Sequence, residues 1–266
     1  NMGIILRYLG KEKEAYKYDS LLLEKEPNNI SLYINTKLNL TTIMIDNNQI
    51  NVERKLYKQE IEKINKNKLW YYNKEQLFHT SIFHLAYQNR SDDKQILEKL
   101  SNSITNIKGI VYNISPQERK SYLTYKRSHL KVGICSEYLR EDHTIGKLYL
   151  NVLLDLLKTD LEITIYIPPE TVKFSGLKII RESFKRVINL PKSPIDAQKI
   201  IHNDKLDILF YPDIGMSHYT YILALSKLAL VQINSLGHAN TSGIKNMDYF
   251  ITSDIEPSAS DKNYTE

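Results

Sequence analysis

Residues 206–238, LDILFYPDIGMSHYTYILALSKLALVQINSLGH, decide the fold because they contain a strand, a helix and a second strand in close succession. Residues 206–211 form a short run rich in apolar and aromatic side chains, which predicts a strand. Residues 219–225 have a helical pattern, and residues 230–234 predict another strand. A helix between two such strands is typical of a parallel sheet, because parallel neighbours need a crossover connection.

The same alternation extends on both sides of this segment. The predicted strands lie at 131–136, 161–167, 187–190, 206–211, 230–234 and 249–252, and the predicted helices at 145–157, 195–203 and 219–225. Strands that alternate with helices at this spacing predict βαβ units around a parallel sheet. We therefore predict a Rossmann-like α/β domain over residues 129–266.

The amino-terminal part is predicted to be helical. Gly10, Ala15 and Pro27 occupy positions where a turn glycine, a small packing residue and a helix-ending proline occur in a tetratricopeptide repeat. An ordinary amphipathic hairpin fits that spacing equally well. Further helices are expected at 31–44, 53–66, 75–87 and 94–107, with a turn at 46–48. The predicted organisation is a tetratricopeptide-like helical region at 1–68 and a helical bridge at 69–128, ahead of the sheet domain.

Composition indicates a globular protein with a sizeable core. Of the 266 residues, 42% are hydrophobic and 25% are charged, which argues against disorder. The one cysteine, Cys135, excludes an internal disulfide and favours a reducing compartment, for which the cytoplasm is the simplest choice. No apolar run approaches the roughly 20 residues that span a bilayer. The net charge of +5 comes with interleaved lysines and glutamates, so neither nucleic acid nor a membrane is an expected partner.

Chemistry in an open parallel sheet is expected at the carboxyl ends of the strands. The polar residues best suited to it follow the predicted strands at 131–136, 206–211 and 230–234, and they are His143, Asp213, His238, Thr241 and Ser242. Each also has a structural interpretation: His143 precedes a helix that it could cap, Asp213 adjoins a turn, and Thr241 or Ser242 could be a helix cap. Cys135 is expected to be a buried strand residue. Neither a GxGxxG motif nor a phosphate-binding loop follows the first strand, which disfavours a dinucleotide cofactor.

Several motifs in a fixed order resemble one enzyme family. They are KVGICSEYLREDHTIGKLYLNVL at 131–153, LDILFYPDIGMSHYTYILALSKLALVQINSLGHANTSGIKNMDYFITSD at 206–254, and NYTE at 263–266. Together they resemble the amino-terminal catalytic half of the O-GlcNAc transferase and SPINDLY-like glycosyltransferases, above all the bacterial branch with tetratricopeptide repeats. FHLAYQNRSDD, at 83–93, resembles the helical entrance to that half.

The resemblance implies a GT-B enzyme, in which two Rossmann-like halves face each other across a cleft. A sugar then passes, with inversion and without a metal or other cofactor, from a nucleotide sugar such as UDP-GlcNAc to a serine or threonine of an acceptor protein. His143 matches the family's active-site histidine, with a positioning or general-base role, and Gly146 matches the glycine after it. Residues 236–243 match a loop that lines the cleft. The implied substrate-binding residues are Gly146, Asp213, Gly237, His238, Thr241 and Ser242.

Three departures from the family pattern bear on that site. Leu236 replaces a common aromatic residue, and Ala239 replaces the usual proline, so the loop is expected to have a different shape. The sequence Ser136-Glu-Tyr replaces Ser-Ser-Asp, which leaves acceptor specificity open.

Two alternatives remain open at the level of sequence. The adhesin N-glucosyltransferases share the fold and the Gly-His loop, so asparagine is an alternative acceptor. A catalytically inactive scaffold of repeats and a Rossmann-like part is an alternative from another class. Because most donor contacts in a GT-B fold come from its second half, this chain, which ends in Tyr264-Thr265-Glu266, is expected to be a fragment that is inactive alone and that has lost further repeats.

Overall fold

The computed structural model describes residues 2–9, 11–74, 76–124, 128–174, 176–238, 240–255 and 262–266. In these residues the helices are Met2–Tyr8 (α1), Glu12–Lys25 (α2), Ile30–Lys37 (α3), Asn47–Lys66 (α4), Asp93–Thr105 (α5), Pro116–Thr124 (α6), Thr144–Leu156 (α7), Lys178–Ser183 (α8), Pro194–Asn203 (α9) and His218–Ala224 (α10). The strands are Lys131–Cys135 (β1), Glu162–Ile167 (β2), Arg186–Asn189 (β3), Leu206–Tyr211 (β4), Ala229–Ser235 (β5) and Tyr249–Ile251 (β6). Short 3-10 helices lie at Ile82–Gln88 and Thr171–Lys173.

The six described strands form one parallel sheet in the order β3-β2-β1-β4-β5-β6. This is the strand order of the Rossmann fold, and it reverses between β1 and β4. The predicted α/β class with a Rossmann-like parallel sheet is therefore confirmed. Each predicted strand is present to within one residue at either end.

The central strand β1 is sealed on both faces. Gly133 allows this packing, because a Cβ there would lie 2.9 Å from the Tyr166 ring and would also press on Leu206. Cys135, at the end of β1, has no exposed surface, which confirms its prediction as a buried strand residue. Strands that are covered on both faces read as continuous apolar runs, and this explains why they could be recognised in the sequence.

The helical part and the sheet share one hydrophobic core. One buried cluster contains Ile34 of α3, Phe78 of the segment 76–81 and Leu100 of α5. The same cluster contains Leu209 of β4 and Leu228, which precedes β5. A second cluster lies between β1, β2, α7 and α8. Helix α1 contacts α2, and α2 contacts α3. The helical part that precedes β1 is thus packed against the sheet domain. The tetratricopeptide character of residues 1–68 and the domain limits at 68 and 128 stay predictions.

The helix predicted over 75–87 is wrong. Residue 75 lies outside the described residues, and residues 76–81 form neither helix nor strand and are followed by the 3-10 helix Ile82–Gln88. Two side chains of α3 bind this backbone: Asn35 Oδ1 accepts from the amide of His79 at 2.7 Å, and Ser31 Oγ donates to the carbonyl of Gln76 at 2.9 Å. Because these bonds replace the intrahelical ladder, the apolar periodicity of the segment does not produce an α-helix.

Other helix limits also differ from the prediction. Helix α3 ends at Lys37, well before residue 44, and the expected turn at 46–48 is the start of α4. Asp46 is the N-cap of α4, since its side chain accepts a hydrogen bond from the amide of Gln49 at 2.7 Å. Helices α6 and α8 were not predicted, and both are short segments with mixed polarity.

A buried arginine connects α4 to α5. Arg54, with 3% of its surface exposed, binds the carboxylates of Asp92 and Asp93 and the side-chain oxygen of Gln88. Lys58, one turn further along α4, also binds Asp92 but is 43% exposed. A buried charge that loses its partner cannot recover the lost interaction from water, whereas an exposed one can.

We expect Arg54→Met to lower the free energy of unfolding by about 3–5 kcal/mol, because it leaves Asp92 and Asp93 without their buried partner. Lys58→Met removes a lysine from the same carboxylate at an exposed position and should cost about 1 kcal/mol or less. Urea denaturation of the two variants measures the difference. Equal losses would contradict a structural role for the buried cluster.

Candidate functional site

Three loops meet at the carboxyl edge of the sheet. They follow β1 (residues 136–143), β4 (residues 212–217) and β5 (residues 236–243), and these strands are neighbours in the order β1-β4-β5. The position coincides with the reversal of strand order, where open α/β sheets form a crevice. Every candidate residue except Gly146 lies on these loops, and Gly146 lies in the first turn of α7.

The carboxyl of Asp213 is the point at which the first two loops join. Its Oδ2 accepts a hydrogen bond from Ser136 Oγ at 2.7 Å, and Ser136 Oγ accepts one from the amide of Tyr138 at 3.0 Å. Asp213 has no exposed surface, and its Oδ1 has no hydrogen-bond partner among the described residues. Burial raises the pKa of Asp213 to about 7, with the nearby Glu137 adding to the effect and the Ser136 bond opposing it. Asp213 therefore lies inside the protein, and its role as a substrate-binding residue stays a prediction.

Two glycines permit close approach of the backbone. A Cβ on Gly237 would overlap the carbonyl oxygen of Pro212, to which the Gly237 amide donates at 2.8 Å. A Cβ on Gly146 would overlap the carbonyl oxygen of Arg140. Any larger residue would force these loops apart, so the two candidates serve the backbone of the site.

His143 is the N-cap of α7. Its Nδ1 accepts a hydrogen bond from the amide of Ile145 at 3.2 Å, so in the neutral ring the proton is on Nε2. Burial lowers the pKa of His143, with the charge of Arg140 contributing, and this favours the neutral form. The ring stacks on Tyr138 with 4.8 Å between centroids. His143 therefore presents an Nε2–H donor, an arrangement suited to positioning an oxygen. Its positioning or general-base role stays a prediction.

His238 is held by a ring from the helical part. It is 7% exposed and stacks on Phe83 with 4.8 Å between centroids, and a Cβ on Gly215 would lie 2.6 Å from its Cδ2. Burial lowers the pKa of His238 to about 4, so the imidazole is neutral at pH 7. Phe83 is the first residue of the motif at 83–93, but its sequence position gives no sign of this contact.

Thr241 and Ser242 bind the carboxylate of Glu266. Thr241 Oγ1 donates to Glu266 Oε2 at 2.7 Å, the amide of Ser242 donates to Oε1 at 2.8 Å, and Ser242 Oγ also donates to Oε1. Both residues are 3% exposed. Their polar groups therefore hold two parts of the chain together, and their role as substrate-binding residues stays a prediction. Ala239 lies outside the described residues.

Helix α5 is the support for this last loop. Asp93 accepts from Asn240 Nδ2 at 3.4 Å, and Ser101 Oγ donates to the carbonyl of Gly243. Glu98 accepts from Thr265 Oγ1 at 3.0 Å. Gly243 has a φ of +64°, and a Cβ there would overlap Leu97 of the same helix. The motifs at 83–93, 236–243 and 263–266, which lie far apart in the sequence, are thus one connected structure.

A cleft of about 850 Å³ opens between helices α1–α3 and the carboxyl edge of the sheet. Its edge side is formed by residues from the loops after β1, β2, β3 and β4 and from the first turn of α10, namely Glu137, Tyr138, Pro168, Pro169, Glu170, Lys192, Met216, Ser217, His218 and Tyr219. The facing side includes Tyr18, Lys25, Lys74 and His79. The rings of His79 and His218 touch, with 4.0 Å between centroids. Burial lowers the pKa of His218 well below its usual value.

Three polar residues of this surface, Glu137, Tyr138 and Ser217, were not predicted as site residues. Glu137 and Tyr138 were noted only as departures from a family pattern. The side chain of Ser217 donates to Glu137 Oε2, and the hydroxyl of Tyr138 donates to the carbonyl of Met216 at 3.1 Å. Their location directly after β1 and β4 was the signal that could have identified them.

Among the described residues, no helix is both long and apolar enough to cross a membrane. No three or more histidine, cysteine, aspartate or glutamate side chains among them are grouped as a metal site would require. Metal independence stays a prediction.

The fold and this edge define a Rossmann-like α/β protein with a crevice at the reversal of strand order. Among solved structures, the chain is similar to an O-GlcNAc transferase mutant from Thermobaculum terrenum, with a TM-score of 0.48 and 16% identity. The similarity covers 99% of this chain and 48% of that one, so the chain spans about half the length of that protein. No protein-family model and no curated protein matches the sequence.

The role of His143 as a helix cap can be tested by stability measurements, separately from any role in a reaction. We expect His143→Ala to lower the free energy of unfolding by about 1 kcal/mol, because the amide of Ile145 loses its acceptor. His143→Asn should keep the stability within a few tenths of that of the unsubstituted chain, because an asparagine oxygen accepts the same bond. Thermal melting measures both. Equal stability of the alanine variant would contradict the capping role.

The buried Asp213 predicts a pH-dependent stability. Its pKa is about 7 in the folded chain against an ordinary value of 3.8, so the folded state holds a proton that the unfolded state has lost between these limits. The contribution of Asp213 to the free energy of unfolding is therefore fully present below pH 4. It is lost as the pH rises through 7, by at most about 1.4 kcal/mol per pH unit.

Asp213→Asn should flatten this part of the curve when the free energy of unfolding is measured from pH 4 to pH 8. Asp207→Asn is the matched control, since Asp207 also joins β4 to β1, by accepting from the amide of Lys131 at 2.9 Å, but at the opposite edge of the sheet. The control should keep the slope of the unsubstituted chain. An unchanged slope in Asp213→Asn would refute the assignment.

Proposed function

We propose that the protein transfers a sugar from a nucleoside diphosphate sugar, UDP-GlcNAc in the first instance, to a side chain of an acceptor protein, with inversion at the anomeric carbon. The observation that carries this proposal is the connection among the motifs of the glycosyltransferase resemblance. The bond of Asn240 to Asp93 joins the motif at 206–254 to the motif at 83–93, and the bonds of Thr241 and Ser242 to Glu266 join it to the motif at 263–266. A chance likeness of short motifs gives no reason for them to meet.

The chemistry of the edge supports the proposal. Displacement at an anomeric carbon needs an oriented acceptor and stabilisation of the departing diphosphate. The Nε2–H of His143 supplies a donor for an oxygen of either substrate, and the neutral ring of His238 supplies a second polar contact. Both are fixed by aromatic stacking, on Tyr138 and Phe83, so little reorganisation is needed when substrates bind.

The cleft supports a polypeptide as the acceptor. Its volume of about 850 Å³ lies near the upper end of ordinary ligand pockets and suits several residues of extended chain. Its walls combine tyrosine, histidine and proline with both acidic and basic side chains. Such a mixed lining can bind backbone amides and varied side chains. Serine or threonine is the proposed acceptor, and asparagine is the alternative.

A second candidate, a non-catalytic scaffold, is favoured by one observation. The hydroxyls of Thr241 and Ser242 are both occupied by Glu266, so they are not free for a substrate in this conformation. The two candidates differ in whether a nucleotide sugar is bound and consumed.

The test measures transfer by the full-length gene product. We expect release of UDP from UDP-GlcNAc and a mass increase on serine or threonine in a peptide mixture, with parallel reactions containing UDP-glucose to detect modification of asparagine. His143→Asn, which keeps the helix cap, should reduce turnover at least about 100-fold because it removes the imidazole donor. Absence of both binding and turnover with every nucleotide sugar tested would refute the enzyme and favour the scaffold.

A further inference from the structure

Glu137 places a carboxyl on the wall of the cleft, one residue beyond the Ser136 bond to Asp213. Its position is fixed at two points. Thr171 Oγ1 donates to its carbonyl at 2.7 Å, and Ser217 Oγ donates to its Oε2. Its second oxygen, Oε1, accepts no hydrogen bond from the described residues. The hydrogen bond to Oε2 therefore orients the carboxyl, and Oε1 is available to a bound substrate.

With this tautomer His143 has no lone pair for the proton of the attacking hydroxyl, so another group must take that proton. The Nδ1 of His143 is used by the amide of Ile145, and Nε2 carries the hydrogen. In the proposed reaction the acceptor hydroxyl must lose a proton while its oxygen attacks carbon. The group that takes this proton needs a free lone pair and a place on the cleft wall, and Oε1 of Glu137 has both.

The surroundings of Glu137 raise its pKa above the ordinary value of a glutamate. Burial raises its pKa, the charge of Glu170 adds to this, and the bond from Ser217 and the charge of Arg140 oppose it. A general base works best when its pKa approaches the working pH. The other titratable or charged groups around it are Asp213, Cys135, Tyr219, Tyr138, His218, His79 and Lys192.

We propose that Glu137 is the general base of the reaction, an inference that rests on the proposed function. The acceptor O–H gives its proton to Glu137 Oε1 while the acceptor oxygen forms a bond to the anomeric carbon. The bond from that carbon to the phosphate oxygen breaks, and its electron pair leaves with the nucleoside diphosphate. The resulting carboxylic acid of Glu137 then returns its proton to water, which balances the cycle. With an asparagine acceptor, the same oxygen takes a proton from the amide.

The experiment measures kcat/KM against pH for the full-length gene product with UDP-GlcNAc and an acceptor peptide. Glu137→Gln should lose a factor of about 100 or more and should lose the acid limb of the profile, because no carboxylate remains to be protonated. Glu141→Gln is the matched control on the same loop. Its carboxyl accepts from the amide of Ile179 at 2.7 Å, outside the cleft, and glutamine keeps that acceptor, so the rate should stay within about twofold.

Substitutions of Ser217 test the chemical role of Glu137 through the pH profile, which a merely structural role of Glu137 would not affect. Ser217→Ala removes the hydrogen bond that lowers the pKa of Glu137, so the acid limb should move to higher pH. Ser217→Thr keeps a hydroxyl and should keep the limb in place. Because Ser217 also caps α10 through the amide of Thr220, melting of both variants verifies that they are folded.

The outcomes separate the inference from the proposed function. If the unsubstituted protein releases no nucleotide, the proposed function fails. If it turns over and Glu137→Gln keeps its rate and its acid limb, only the role of Glu137 is refuted. An acid limb that Ser217→Ala leaves unmoved would also overturn the assignment.

Discussion

A hydrogen bond from Ser136 to the buried carboxyl of Asp213 joins the loops after β1 and β4, and the geometry of the site depends on it. These two strands are neighbours in the sheet, but the chain leaves them in opposite directions, through β2 and β3 on one side and β5 and β6 on the other. The crevice at this edge is a consequence of that reversal. From Ser136 the connection continues to Tyr138, whose ring supports His143.

The polar groups of the edge have different tasks because their environments differ. His143 and His238 are both kept neutral by burial, and each is held by an aromatic ring. Asp213 is sealed, whereas Glu137 lies on the cleft wall with one oxygen free of internal bonds. When the environments of titratable groups differ, their pKa values move apart, so one group can donate a proton and another can accept it. In the proposed reaction the histidines donate a hydrogen bond and Glu137 accepts the proton.

The helical part contributes directly to the site. Helix α5 contacts the loop after β5 through Asp93, Leu97 and Ser101, and Phe83 stacks on His238. Arg54 in turn holds Asp93 from α4. A change in the packing of these helices therefore acts on the loop that carries His238, although none of them belongs to the sheet.

The sequence by itself determined the strands, their parallel arrangement and the edge at which polar residues gather, because buried parallel strands are continuous apolar runs and crossover helices separate them. It also located His143, Asp213 and His238 on neighbouring loops. It did not determine the conformation of residues 76–81, where Ser31 and Asn35 from another helix replace the bonds that an α-helix needs. Nor did it reveal that Glu266 occupies Thr241 and Ser242, that Phe83 covers His238, or which nitrogen of His143 is free. Each of these depends on a partner distant in the chain or on the direction of one hydrogen bond, and only the tertiary structure decides which groups meet.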